Sequence, residues 1–167
     1  GNLFSALTFS SVAGLGPLYF IRNNSDASQL SFSNNIWNNL QIRNAGAHYF
    51  MHNTGNVQAL VAVHNNSLNV YERQFSSSAD FYFYYASAPA VPAACVQSFS
   101  SNLISNVTST VSGVGSFYGI YSIDGGLGTF PLKNIHHNTI SNITYNSSGD
   151  FLGYYANHLG DGGTAQS

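Results

Sequence analysis

Short segments in which hydrophobic and polar residues alternate run along most of the chain. The segments are rich in aromatic and β-branched residues, and Gly, Asn, Ser and Asp separate them. This pattern is typical of short β-strands joined by tight turns. A helical repeat would instead need Ala, Leu, Glu and Lys at a period of 3.6, and the chain lacks that pattern. The alternation therefore predicts an all-β protein.

The strand segments recur as a repeat that is clearest around four asparagines. An apolar residue lies three positions before each of them, and successive asparagines are 31, 36 and 36 residues apart. A second strand follows in each unit, from Tyr19–Asn23 to Leu152–Ala156. The period is 30 to 36 residues, and the chain opens partway through a unit. The four asparagines are Asn35, Asn66, Asn102 and Asn138.

A strand-rich repeat of this length predicts a parallel β-helix, a solenoid in which each repeat forms one turn. We expect about five turns of 30–36 residues, coiled in the right-handed sense that parallel crossovers generally adopt. Residues 1–167 would then form a single β-helix segment of a longer repeat protein or filament. Its ends would expose the core and unpaired strand edges, so we expect copies of the chain or adjacent turns to stack end to end.

Stacking the repeats in register predicts columns of residues along the solenoid axis. The four asparagines should form a ladder of amide-to-amide hydrogen bonds at a spacing of about 4.8 Å. One inward column contains Phe32, Val63, Phe99 and Ile135. A second contains Phe4, Trp37, Leu68, Ile104 and Ile140. A third, which needs a one-residue deletion in the second repeat, contains Leu7, Leu40, Val70, Val107 and Ile143.

The composition narrows the classes of function. Only 6% of residues are charged, whereas 20 are Asn and 24 are Ser; a typical domain has about 25% charged residues. Without a basic field, nucleic-acid binding is not expected. No apolar run reaches the roughly 18 residues that a membrane helix needs. Identical charges stacked at strand spacing would repel one another, so neutral polar side chains suit the surface of a parallel solenoid.

Two sequence segments resemble the repeats of a known group of proteins. They are Asn138-Thr139-Ile140-Ser141-Asn142-Ile143-Thr144, and Tyr118-Gly119-Ile120-Tyr121-Ser122 with Gly125-Gly126. They resemble the Asn-rich right-handed β-helix repeats of large secreted bacterial surface proteins, above all those of Bacteroidota that carry a type IX secretion signal. The resemblance covers nearly the whole chain. It implies a β-helix in an extracellular or cell-surface location, and it transfers no catalytic residues.

The positions of the acidic residues bear on whether the protein is an enzyme. A polysaccharide lyase, hydrolase or tailspike-like β-helix would need paired carboxylates, or an Asp cluster that binds Ca²⁺. The six acids are scattered, and only Asp124 and Asp161 fall at equivalent places, in Gly-Gly turns. These two are weak Ca²⁺ candidates, and Asp-Gly turns are the better explanation of them. We therefore expect no catalytic residues, no metal and no cofactor.

Histidine, threonine and tyrosine offer the remaining candidate chemistry. In an extended strand, His136 and His137 would point to opposite faces, so the histidines are expected to be surface residues rather than metal ligands. An ice-binding face would need a regular Thr array, and only Thr8, Thr108 and Thr144 align. Outward tyrosines should form an exposed ladder that includes Tyr121 and Tyr155. This ladder either stabilises the sheet or offers a platform for sugar rings or a protein partner.

These observations favour a non-catalytic structural or adhesive module of a secreted cell-surface or filament-forming protein. Its partners would be copies of itself or adjacent turns, with glycans or a cell-surface protein as further candidates. A β-helix that binds or degrades polysaccharides is the alternative, and an ice-binding solenoid is the third hypothesis. Release of reducing or unsaturated ends from a polysaccharide would identify an enzyme.

Overall fold

The chain folds as a parallel β-solenoid in which three sheets surround one hydrophobic interior. We analysed a computed structural model that describes residues 1–9, 16–74, 78–125 and 131–156. Every strand pairing in it is parallel, and each strand pairs with the equivalent strand of the next turn. The described residues contain no α-helix, and hence none long and apolar enough to cross a membrane. The predicted all-β solenoid is confirmed.

The described residues form fifteen strands in three sheets, which the chain visits in a fixed order. Sheet 1 contains β1 (Leu3–Ser5), β2 (Thr8–Phe9), β5 (Ile36–Ile42), β8 (Ser67–Arg73), β11 (Leu103–Gly113) and β14 (Thr139–Ser147). Sheet 2 contains β3 (Leu18–Asn23), β6 (His48–Asn53), β9 (Phe81–Ala86), β12 (Phe117–Ser122) and β15 (Phe151–Ala156). Sheet 3 contains β4 (Ala27–Ser33), β7 (Val57–His64), β10 (Val96–Ser100) and β13 (Leu132–His136).

The number of turns is slightly smaller than expected. The structure contains about four complete turns, each made of one strand from sheet 3, one from sheet 1 and one from sheet 2. The strands β1, β2 and β3 precede them as part of a turn, because the described residues before Ala27 supply no strand to sheet 3. The expected count of five included this partial turn.

The interior columns follow the predicted register in sheets 3 and 1. Phe32 pairs with Val63, Val63 with Phe99, and Phe99 with Ile135. In sheet 1, Phe4 and Trp37 are paired, and the column continues through Leu68, Ile104 and Ile140. These residues contribute to a single hydrophobic cluster along the axis. The first two predicted columns are therefore confirmed.

The third predicted column contains one error, at Val70. Tyr71 pairs with both Leu40 and Val107, so Tyr71 occupies the inward position and no residue is deleted from this repeat. Val70 is 42% exposed and has a φ of 58°. Equivalent residues of the other turns share this left-handed backbone, which rotates the chain so that the following residue points inward. They are Ala6, Asn39, Asn106 and Asn142.

Candidate functional site

The outer side of sheet 2 carries two parallel columns of aromatic rings, which we call the aromatic face. In each strand two consecutive inward residues separate the two outward rings, as Phe83 and Tyr84 separate Tyr82 from Tyr85. Pairing of successive strands places equivalent rings next to each other. The face therefore extends over all the turns of the solenoid. Its first column contains Tyr19, Tyr49, Tyr82 and Tyr118, and its second contains His52, Tyr85, Tyr121 and Tyr155.

Within each column the rings are stacked, and between the columns they meet edge to face. The centroids of Tyr121 and Tyr155 are 4.9 Å apart, and those of Tyr85 and Tyr121 are 5.1 Å apart. Tyr82 lies edge-on to Tyr121, with ring planes 78° apart. Both arrangements are favourable for aromatic pairs. The sequence-predicted residues Tyr121 and Tyr155 thus belong to a larger array that they stabilise.

Stacking determines which part of each ring can contact a ligand. A ring inside a column has a neighbour on each side, so its edge and hydroxyl group remain available rather than its faces. Burial raises the pKa of Tyr49 to about 12 and also raises the pKa of Tyr121. The Tyr82 hydroxyl donates to Asp80 Oδ2 at 2.8 Å. The face therefore presents neutral hydroxyl groups and ring edges, except that the Tyr82 hydroxyl is already paired and Tyr82 is buried.

The four repeat asparagines lie in one column at the corner between sheets 3 and 1, where the first three are buried and Asn138 is partly buried. Asn35 Nδ2 donates to Asn66 Oδ1 at 2.8 Å, Asn66 Nδ2 donates to Asn102 Oδ1 at 3.0 Å, and Asn102 Nδ2 donates to Asn138 Oδ1 at 2.8 Å. Each accepting oxygen also accepts the backbone N–H of the preceding asparagine. The column joins successive turns and satisfies buried backbone groups, which makes it a structural element.

The Ca²⁺ candidate Asp124 is buried among protein donors. Its Oδ1 accepts from the backbone N–H of Ala88 at 2.6 Å, and its Oδ2 accepts from Gln97 Nε2 at 2.7 Å. Burial raises its pKa. The Lys133 ammonium nearby donates to Ser122 O at 2.7 Å, and burial lowers the pKa of Lys133 to about 8.

The arrangement of Asp124 is that of a buried turn cap, since both carboxylate oxygens already accept protein hydrogen bonds. Asp161, the second candidate, lies outside the described residues. In the part of the chain that the structure describes, no three His, Cys, Asp or Glu residues come together as a metal site.

Other acidic side chains also hold backbone groups between turns. Asp80 Oδ1 accepts from the backbone N–H of Ser116 at 2.7 Å, in addition to the Tyr82 hydroxyl on its other oxygen. Asp26 Oδ1 accepts from the backbone N–H and the side-chain amide of Asn56, at 2.9 and 3.1 Å. These carboxylates therefore join successive turns at the corners of the solenoid.

The aligned threonines do not form a continuous array. Thr8 pairs with Gln41, and Thr108 pairs with Glu72 and Thr144. Gln41 and Glu72 therefore interrupt the column, and the regular Thr spacing that would favour the ice-binding hypothesis is absent from it.

A buried cluster between sheets 1 and 2 was missed by sequence reasoning. The imidazole Nδ1 of His48 is hydrogen bonded to the Tyr71 hydroxyl. The Arg73 guanidinium donates to Gly46 O at 3.1 Å, Ala79 O at 2.9 Å and the Tyr145 hydroxyl at 3.1 Å. Burial, followed by the Arg73 charge, lowers the pKa of His48 to about 3. The one signal in the sequence is that His48 aligns with Phe81 of the next repeat.

A cavity lies in the interior of the last turns, and Gly153 is part of its lining. Phe20, Phe50 and Phe83 occupy equivalent inward positions of β3, β6 and β9, and Gly119 and Gly153 follow them in β12 and β15. The cavity of about 270 Å³ lies beside Gly153, whereas an added Cβ at Gly119 would come within 2.5 Å of Gly153 O. Four of its ten lining residues are isoleucines, Ile104, Ile120, Ile135 and Ile140. The cavity continues the apolar interior and presents no cluster of chemically reactive groups.

Comparison with known proteins adds no identification. Protein-family models, curated proteins and solved structures give no match to this chain.

Proposed function

We propose that this chain is a non-catalytic structural and adhesive module of a secreted cell-surface or filament-forming protein. The observation that carries the proposal is the aromatic face, a regular array of neutral hydroxyl groups and ring edges on one side of the solenoid. Tyrosine combines apolar contact area with a polar hydroxyl, which suits it to binding surfaces. The resemblance to secreted Asn-rich repeats supports an extracellular location.

The interior and the turn contacts support a rod that transmits mechanical load. Asparagine and aromatic columns link each turn to the next, and they do so without charged pairs that salt would screen. In the last described turn, the inward side chains of Phe151 and Tyr154 are 53% and 38% exposed. Stacking of another copy or of further turns would cover these apolar groups, which supports end-to-end assembly.

A polysaccharide is the first ligand class to test for adhesion. The aromatic columns repeat at 4.9 to 5.1 Å along the axis, so a chain of repeating polar units can meet the same groups several times. Because the ring faces are stacked against each other, binding would use hydroxyl hydrogen bonds and ring edges. Polysaccharide binding by this face would therefore depend on the tyrosine hydroxyl groups.

Adhesion of the purified chain to immobilised neutral and anionic polysaccharides and to cell-surface protein tests the proposal. The triple variant Tyr85→Ser, Tyr121→Ser, Tyr155→Ser is expected to lose most binding, because it removes the three tyrosines of the second column. The triple variant with Phe at these positions keeps the stacks and separates the effect of the hydroxyls from that of the rings.

A double variant on the other two faces, Asn134→Ser with Thr144→Ser, serves as the matched control and should bind like the wild type. Undiminished binding by the triple Ser variant would overturn the role of the aromatic face. Release of reducing or unsaturated ends during the incubation would overturn the non-catalytic assignment.

A further inference from the structure

Two consecutive histidines converge at the corner between sheets 3 and 1 in the last turn. His136 ends β13, and His137 has a φ of 55°. In an extended strand the two side chains would point to opposite faces. The left-handed backbone instead turns His137 so that its Nδ1 lies 2.9 Å from Nδ1 of His136. Both side chains are exposed at the surface.

From this juxtaposition we propose that His136 and His137 form a two-histidine binding site for a divalent copper or nickel ion. Imidazole nitrogen is a preferred ligand of both ions. The site lies on a different part of the surface from the aromatic face, and it does not depend on the proposed adhesive function.

The separation of the two nitrogens is the length of a hydrogen bond and is also compatible with two ligands of one ion. With metal–nitrogen bonds of about 2.0–2.1 Å, two ligands at a right angle lie about 2.9 Å apart, whereas two ligands of a tetrahedron lie about 3.3 Å apart. The observed 2.9 Å matches the right-angle arrangement. Tetragonal geometry with such right angles is typical of Cu²⁺ and Ni²⁺, and tetrahedral geometry is typical of Zn²⁺.

Among the residues that the structure describes, no third His, Cys, Asp or Glu joins these two histidines. His64 belongs to the same column as His136, but Ser100 lies between them, and His64 Nε2 is hydrogen bonded to Ser98 Oγ at 3.0 Å. The other coordination positions face solvent and would be filled by water. Without the ion, one Nδ1–H donates to the other Nδ1. When the ion binds, the donating ring adopts the tautomer with its proton on Nε2, so that both Nδ1 lone pairs are available to the ion.

The repeats themselves supply variants that should preserve the fold. Ser33 and Ser100 occupy the position of His136 in other turns, and Asn34 and Asn65 occupy that of His137 with the same positive φ. His136→Ser and His137→Asn are therefore conservative within this solenoid. His64→Ser, in the same column two turns away, is the matched control.

Titration of the full chain with Cu²⁺ alone, followed by calorimetry and by copper electron paramagnetic resonance, tests the proposal. The wild type should bind one ion with two nitrogen ligands at this corner. Loss of even an outer partner of a metal ligand commonly costs about 10–100-fold in affinity. Each single variant should therefore bind at least about tenfold more weakly, with one nitrogen lost from the spectrum.

The control His64→Ser should bind copper like the wild type. Equal affinity in His137→Asn and the wild type would overturn the proposal, and so would a wild type that binds no copper. Equal losses in His64→Ser and His136→Ser would also overturn it, because they would indicate binding dispersed over the surface histidines. Thermal melts of all variants show that each remains folded.

Discussion

Asparagine serves two different structural purposes in this chain, and positions 34 and 35 show both. Asn34 has a φ of 56°, a left-handed conformation that asparagine tolerates better than most residues. Asn35 is buried and contributes its amide to the ladder. A high asparagine content therefore reflects corners as well as columns. The spacing of the repeat predicts the role of asparagine in the ladder but not its role at the corners.

Val70 is the residue whose backbone conformation fits its side chain least well. A β-branched residue at a φ of 58° is strained, and Asn occupies the equivalent position in three other turns. We expect Val70→Asn to raise the free energy of unfolding by about 1 kcal/mol. Thermal or chemical denaturation measures the change, which corresponds to an increase of about 2–4 °C in Tm.

The reverse substitution, Asn39→Val at an equivalent corner, is expected to lower stability by a similar amount. A neutral result for both variants would show that the left-handed corners are not strained by valine, and it would contradict the assignment of Val70 to this position.

At the scale of the strand, stability comes from columns that cross successive strands. Sheet 2 has an inward column at the first residue of its strands, in which Phe81, Phe117 and Phe151 stack at 4.7 Å. His48 occupies this position in β6, next to Leu18 of β3. The column therefore buries one titratable ring among apolar ones, where the neutral imidazole is favoured.

This burial predicts a dependence of stability on pH. The pKa of His48 is about 3 in the folded chain, below the ordinary value of 6.5. Below pH 6.5 the unfolded chain binds a proton that the folded chain does not, so the free energy of unfolding decreases as the pH falls. The contribution is fully present above pH 6.5, and about 3 kcal/mol of it is lost by pH 4.

His48→Phe continues the phenylalanine column and removes this proton linkage. Urea denaturation between pH 7 and pH 4 should show a smaller loss of stability for the variant than for the wild type. Some slope remains, because the pKa of His52 is also lowered, to about 4, by burial and by the Arg22 charge. Leu18→Phe adds a ring to the same column, keeps His48 and should retain the wild-type slope. Identical slopes for His48→Phe and the wild type would refute the linkage.

At the scale of the whole molecule, the turns depend on one another because they share one interior. Ile104 lies between Leu68 and Ile140 in the column of sheet 1 and is almost fully buried. In a repeat protein, each turn is stabilised mainly by its interfaces with neighbouring turns. A defect at Ile104 therefore weakens two interfaces at once.

Ile104→Asn is expected to cause a cooperative loss of structure over several turns. It removes a buried apolar side chain and leaves an unpaired amide in the interior, at a cost of about 4 kcal/mol or more. Thermal melting and amide hydrogen exchange measure the loss and its extent along the chain. Ile104→Val, with an expected cost of about 0.5–1.5 kcal/mol, is the control. A melt unchanged by Ile104→Asn would refute the register.

The sequence by itself determined the all-β class, the period and the pairing of most inward positions. Alternation of polar and apolar residues determines which side of an extended strand each residue faces. Recurrence of one residue type at a fixed spacing identifies the residues that stack on one another in successive turns. Phe32, Val63 and Phe99 lie in their column for this reason, as do the four ladder asparagines.

Only the tertiary structure decided the features that arise where the chain leaves the extended conformation or where turns meet. A positive φ at Val70 places Tyr71 inside, and a positive φ at His137 brings its imidazole to that of His136. Stacking between turns assembles separate tyrosines into the aromatic face. The period-two pattern describes a straight strand, so it contains no information about the rotation that a left-handed corner introduces.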